Sequence, residues 1–146
     1  MKKILVFGGV GFLGQYLVNE LLNRGYEVTV ADIHENEKLE SKITYIKCDI
    51  NSKENVKSVF ENKQFDVVYN LAGFANLDTA IKYPLETIQL NVIGNMHILE
   101  QCVKNSISRF VYASSAYAMS NKGSFYGIWH SDHRPCNLKV IKKAEG

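Results

Sequence analysis

Apolar positions along this chain switch between two spacings, and the switches mark out its elements. "KILVFG" (residues 3–8) is a continuous apolar run, as expected of a parallel strand buried on both faces. Leu13, Leu17, Val18 and Leu21 then recur at helical spacing as far as Arg24, and Gly25 stands where a helix C-terminus favours glycine. "EVTVAD" (27–32) predicts a second strand. "HENEKLESK" (34–42) is polar and predicts a loop or one poor helical turn, and "ITYIKCD" (43–49) predicts a third strand. Asn51 or Ser52 can cap a helix running through Glu61, with Val56, Val59 and Phe60 as its apolar side. "FDVVYNLA" (65–72) is a fourth strand. Pro84 opens the longest helical pattern, residues 85–105, and "RFVYASS" (109–115) is a fifth strand. After Ser120 the periodicity fades, and residues 130–146 predict only a short turn around 138–143.

Alternation of strand and helix predicts an α/β fold: a doubly wound parallel sheet of the Rossmann type, about five strands with helices on both faces. Residues 1–128 are expected to form this one domain, with residues 129–146 a divergent, disordered tail. The 146-residue length suits a single domain with a sizeable core.

Composition changes this picture little. Hydrophobic residues make up 46% and charged residues 22%, the balance of an ordinary globular protein. A net charge of +2 is too small to argue for nucleic acid or a membrane surface, and no apolar run would span a bilayer. The basic start "MKK" leads into a run too short for a signal peptide. Cys48, Cys102 and Cys136 are widely spaced and odd in number, which favours reduced thiols and a cytoplasmic protein.

The glycines carry the first chemical signal. "GGVGFLG" (residues 8–14) sits where the first strand gives way to a helix, and glycine weakens both elements. Gly9, Gly11 and Gly14 fit G-x-G-x-x-G, while Gly8, Gly11 and Gly14 fit G-x-x-G-x-x-G. A helix N-terminus offers unpaired N–H groups and a positive dipole end, so a pyrophosphate can sit there if no side chain blocks it. Asp32 closes the second strand about twenty residues on, where a carboxylate accepts hydrogen bonds from a ribose diol and repels a 2′-phosphate. That favours NAD over NADP. No Walker lysine follows the glycines, which argues against a triphosphate loop.

"GGVGFLG", "CDI" (48–50), "NLAG" (70–73), "LNVIGN" (90–95) and "FVYASSA" (110–116) together resemble the extended short-chain dehydrogenase/reductase family. The resemblance is strongest to its NAD-dependent sugar-nucleotide epimerases and dehydratases, and it runs to about Ile128. It implies that Gly8, Gly11, Phe12, Leu13 and Gly14 hold the cofactor's phosphates beside Asp32. It further implies that Asp49 and Ile50 flank the adenine, and that Leu71, Ala72 and Gly73 run past the phosphate and ribose. Asn91 would lie on the helix behind the site or be a plain helix-surface amide.

The resemblance also implies hydride transfer from a sugar hydroxyl carbon to NAD. A tyrosinate removes the hydroxyl proton, a serine or threonine holds the same oxygen, and a lysine one helical turn on lowers the tyrosine's pKa. A free phenol, with a pKa of about 10, is a poor base at neutral pH, and a nearby cation favours its ionised form. Ser115 falls in the hydroxyl role, with Ser114 as the alternative. Tyr126, in "SFYGIWH", falls in the base role, with Tyr117 as the alternative. The pattern then breaks: His130 stands at the lysine position and Trp129 where serine is usual. A frameshift, a truncation and a natural divergent ending would all produce such a tail.

His130, Asp132, His133 and Cys136 lie in one short segment, but nothing elsewhere completes a metal site, and none is expected. Arg134, Lys139, Lys142 and Lys143 have no aromatic platform beside them, so a nucleic-acid partner is not expected either. Three functions fit this sequence: an epimerase or dehydratase acting on a nucleotide sugar, an NAD-binding module without catalysis, and an interaction protein. For the last, the fifth strand's uncovered edge would drive self-association unless the tail folds back over it.

Overall fold

The computed structural model describes residues 1–35, 42–114 and 138–142. Five strands run parallel: β1 (Lys3–Phe7), β2 (Glu27–Asp32), β3 (Thr44–Lys47), β4 (Val67–Asn70) and β5 (Arg109–Ala113). With β6 (Leu138–Lys142) they form one sheet in the order β3-β2-β1-β4-β5-β6. This is the doubly wound arrangement expected from the alternation of elements.

Strand β1 shows why its sequence is apolar throughout. Ile4 and Val6 face one side of the sheet and pack with Val18 and Leu21 of α1 (Phe12–Asn23). Leu5 and Phe7 face the other, packing with Val56, Val59 and Phe60 of α2 (Lys53–Phe60) and with Ile98 and Cys102 of α5 (Asn95–Lys104). The period-two alternation of a strand thus feeds two cores at once. Leu5, Val6 and Phe7 have no exposed surface, so each contributes about 1.5–3 kcal/mol of burial.

The helix ends follow from local chemistry. Ser52 caps α2, its Oγ accepting from the Asn55 N–H at 3.2 Å. Helix α1 ends at Gly25, whose φ of +76° lets the Gly25 N–H reach the Leu22 carbonyl and the Tyr26 N–H reach that of Leu21. Short helices α3 (Leu77–Lys82) and α4 (Pro84–Ile88) follow β4. From Pro84 to Lys104 the helical run is unbroken, but Gln89–Gly94 is wound as a π-helix between α4 and α5. Such insertions re-aim side chains and recur at functional sites.

Two features depart from the sequence reading. Helix α3 has no counterpart in it. The turn expected around 138–143 is instead strand β6, antiparallel to β5, with Leu138 opposite Ala113 and Lys142 opposite Arg109. The β5 edge is therefore paired by the chain itself. Cys48 and Cys102 are free and buried, and burial pushes both thiols up to about 12 from the ordinary 9.0. Among the described residues no helix is long and apolar enough to cross a membrane.

Candidate functional site

The strand order reverses between β1 and β4, and a cleft of about 860 Å³ opens at the C-terminal ends of the strands there. Open α/β sheets bind ligands at this position, because the loops leaving the two halves diverge. Four strand ends build one side: Gly8, Val10 and Gly11 after β1, Asp32 to His34 at β2, Cys48 to Asn51 after β3, and Leu71 to Phe74 after β4. The far wall is helical, formed by Leu85, Glu86, Gln89 and Leu90 of α4 and the π-turn.

The glycine loop is made by its own backbone bonds. Gly8 has φ +73°, and a Cβ there would stand 2.5 Å from the Ala72 nitrogen, so only glycine fits. Its N–H donates to the Ala31 carbonyl at 3.0 Å, and its carbonyl accepts from the Gly11 N–H at 3.2 Å. Gly14 packs directly on Gly8 and Gly9, which brings α1 against the loop. Gly11 is the N-cap of α1 and offers no side-chain cap. The Gln15 N–H is the first to bond back, onto the Gly11 carbonyl at 3.0 Å. Among the described residues no acceptor takes the N–H groups of Phe12, Leu13 or Gly14.

Helix α1 differs here from its neighbours. Helices α2 and α3 have side-chain caps at Ser52 and Asn76 and carry Glu54 and Asp78 in their first turns. Helix α1 has neither a side-chain cap nor an acidic residue there. Its positive end and free donors are left for an anion.

Asp32 is held at the cleft edge by two backbone donors. Its Oδ2 accepts from the Val10 N–H at 3.0 Å and its Oδ1 from the His34 N–H at 3.1 Å. Each oxygen keeps a lone pair for a further donor, such as a diol. Asp49 is turned by the same device, its Oδ1 accepting from the Asn51 N–H at 2.9 Å. Among the described residues the cleft lining holds three carboxylates, Asp32, Asp49 and Glu86, and no lysine or arginine. The donors these residues offer an anion are the backbone N–H groups at the head of α1.

Three asparagines fix the β4 side. Asn70, almost fully buried, donates through Nδ2 to Asn95 Oδ1 at 2.8 Å and accepts from the Ala72 N–H at 3.1 Å. Asn91, in the π-turn, bonds both backbone groups of Phe74. Asn91 is an exposed amide of the helical run, and its side chain is engaged with the loop after β4.

Of the residues singled out by sequence, Gly8, Gly11, Asp32, Asp49, Ile50, Leu71, Ala72 and Gly73 line the cleft. Phe12, Leu13 and Gly14 lie just beyond it, in the first turn of α1, with the Phe12 and Leu13 side chains exposed. Ser115, Tyr126, Tyr117, Trp129, His130 and the other tail residues lie outside the described residues, apart from Lys139 and Lys142 in β6. Ser114 is described and directly follows β5. Sequence reasoning missed His34, Phe74 and the helical wall. The wall had one available signal: Leu85, Gln89 and Leu90 share the face of a helix that must cross the strand ends.

Residues 4–134 match the model of the NAD dependent epimerase/dehydratase family. The UDP-glucose 4-epimerase of Drosophila melanogaster is 31% identical over 129 residues, covering 77% of this chain and 37% of the relative. That of Bacillus subtilis (strain 168) is 31% identical over 123 residues, covering 77% and 36%. A crystal structure of the Thermus thermophilus UDP-glucose 4-epimerase in complex with NAD superposes with a TM-score of 0.76 at 28% identity, covering 84% of this chain and 41% of that one. The chain thus spans little more than a third of the length of these curated relatives. The family match takes in all five parallel strands, β1 from its second residue on, and on that extent the chain belongs to the NAD dependent epimerase/dehydratase family.

Proposed function

We propose that this chain is the NAD-binding domain of an epimerase or dehydratase acting on a nucleotide sugar, its domain comprising residues 1–128. The observation that carries the reading is the cradle between β1 and α1. A glycine turn that admits no side chain at Gly8 leads into a helix end without a cap or acidic residue, with Asp32 beside it. This donor set fits a dinucleotide. The N–H groups of Phe12, Leu13 and Gly14 meet the pyrophosphate, and Asp32 takes the ribose diol. Asp49 and Ile50 border the adenine, and the backbone of Leu71, Ala72 and Gly73 runs along the ribose and phosphate.

NAD, when bound, supplies a hydride acceptor for oxidation of a sugar hydroxyl carbon. In the same reading Ser115 holds the sugar oxygen and Tyr126 takes its proton. The UDP-glucose 4-epimerase relatives make a nucleoside diphosphate sugar the substrate class to test. His130 stands where the resemblance expects the lysine, and a histidine is only partly charged at neutral pH, so slow turnover is expected of this chain. The test is isothermal titration with NAD followed by a turnover screen of UDP-sugars. Saturable NAD binding with turnover far below that of an intact epimerase is expected. Absence of NAD binding would overturn the reading.

A further inference from the structure

The glycine loop is held by side chains as well as by its own backbone bonds. Val10 stands between Gly9 and Gly11, whose wide range of backbone angles offers its flanking peptide planes other orientations, and the one backbone bond on them is that of the Gly11 N–H to the Gly8 carbonyl at 3.2 Å. Both planes are locked by side chains from different elements. The Asp32 Oδ2 at the end of β2 accepts from the Val10 N–H at 3.0 Å. The Gln15 Nε2 in the first turn of α1 donates to the Val10 carbonyl at 2.7 Å.

We propose that Gln15 is a positioning residue of the cofactor loop, which together with Asp32 clamps Val10 from both sides and holds the loop in its anion-binding form. The proposal rests on the NAD-binding reading above and adds a residue whose side chain is bound to the loop itself. Val10 lines the cleft and Gln15 does not. The bond its amide makes is to the Val10 carbonyl, and through it Gln15 acts on the loop. Its contribution is preorganisation: a loop already ordered before binding loses less freedom when phosphate arrives. Asp32 in this scheme has two tasks, the ribose diol and the loop, whereas Gln15 has only the second.

The effect must then be selective. Ligands bearing a diphosphate should sense the clamp, and adenosine should not. Gln15→Met keeps the length and removes the donor, and Gln15→Glu places an acceptor against the Val10 carbonyl. In Gln15→Met, NAD and ADP affinities should each fall about fivefold, because the loop must then be ordered on binding, and in Gln15→Glu they should fall further. Adenosine affinity should stay unchanged in Gln15→Met, and the melting temperature should fall only by what one exposed hydrogen bond contributes. Amide hydrogen exchange in the ligand-free protein provides a readout independent of binding: the Val10 and Gly11 N–H groups should exchange faster in Gln15→Met. Unchanged exchange at both, or an equal loss for adenosine and ADP, would overturn the proposal. Failure of the wild-type chain to bind NAD would instead overturn the NAD-binding reading, with the exchange measurement still deciding whether Gln15 clamps the loop.

Discussion

Asn91 grips the backbone of Phe74 from both sides: its Oδ1 accepts from the Phe74 N–H at 2.8 Å, and its Nδ2 donates to the Phe74 carbonyl at 2.9 Å. The pair ties the loop after β4 to the π-turn, whose Gln89 and Leu90 stand in the far wall. Asn91→Ala removes both bonds. The expected loss is about 1–2 kcal/mol of unfolding free energy, together with weaker NAD binding. Urea denaturation measures the first and calorimetric titration the second. Full stability with unchanged binding would show that the grip is incidental.

Two glycines with nearly the same backbone angle should respond differently to alanine. Gly8 and Gly25 have φ of +73° and +76°. A Cβ on Gly25 meets nothing within 4 Å, whereas one on Gly8 runs into the Ala72 nitrogen at 2.5 Å. Gly25→Ala should therefore cost only the left-handed penalty, about 1 kcal/mol. Gly8→Ala should cost clearly more and should also abolish NAD binding. Equal melting temperatures for the two variants would contradict this account.

The buried thiols predict a specific loss of stability in alkali. Burial holds Cys48 and Cys102 protonated in the folded state up to about 12, while a thiol in the unfolded chain ionises at about 8.5. Above that lower value the unfolded state releases protons that the folded state keeps. Stability therefore falls as pH rises from about 9 toward 12, by at most about 1.4 kcal/mol per pH unit for each thiol. Below pH 8 the two thiols contribute no slope. Cys102→Ala should flatten the alkaline limb of the stability curve relative to wild type. Native protein at pH 8 should also resist alkylation at both positions until denaturant is added.

Strand β6 makes the tail a cover for the β5 edge. Deleting residues 129–146 should expose that edge and lower the melting temperature or raise light scattering. A monomeric deletion variant of equal stability would show that β6 contributes nothing to the domain.

Much of this fold is legible in the sequence because two physical constraints write strong patterns. A strand buried on both faces must be apolar throughout, as Ile4 to Phe7 are. A backbone turn with no room for a side chain must be glycine, as at Gly8. Asp32 is legible for the same local reason, since it closes β2 at a set distance from that turn. Features set by distant contacts are not legible. The π-turn at Gln89–Gly94 leaves the apolar spacing of residues 85–105 looking simply helical, yet it contains the asparagine that reaches Phe74. Helix α3 is six residues long, too short for a periodic signal. Strand β6 is a five-residue stretch, "LKVIK", whose place is set by pairing with β5 and by no pattern of its own. The loop clamp is invisible because Gln15 reads as one more polar position on an amphipathic helix.

The most direct test of the central claim is a paired calorimetric titration of the wild-type chain with NAD and with NADP, repeated on Gly11→Val. The account predicts saturable NAD binding and at least about tenfold weaker NADP binding, because Asp32 meets the extra phosphate. It predicts no binding of either by Gly11→Val, whose side chain would occupy the phosphate's path at the head of α1. Equal affinity for the two dinucleotides, or full NAD binding by Gly11→Val, would contradict it.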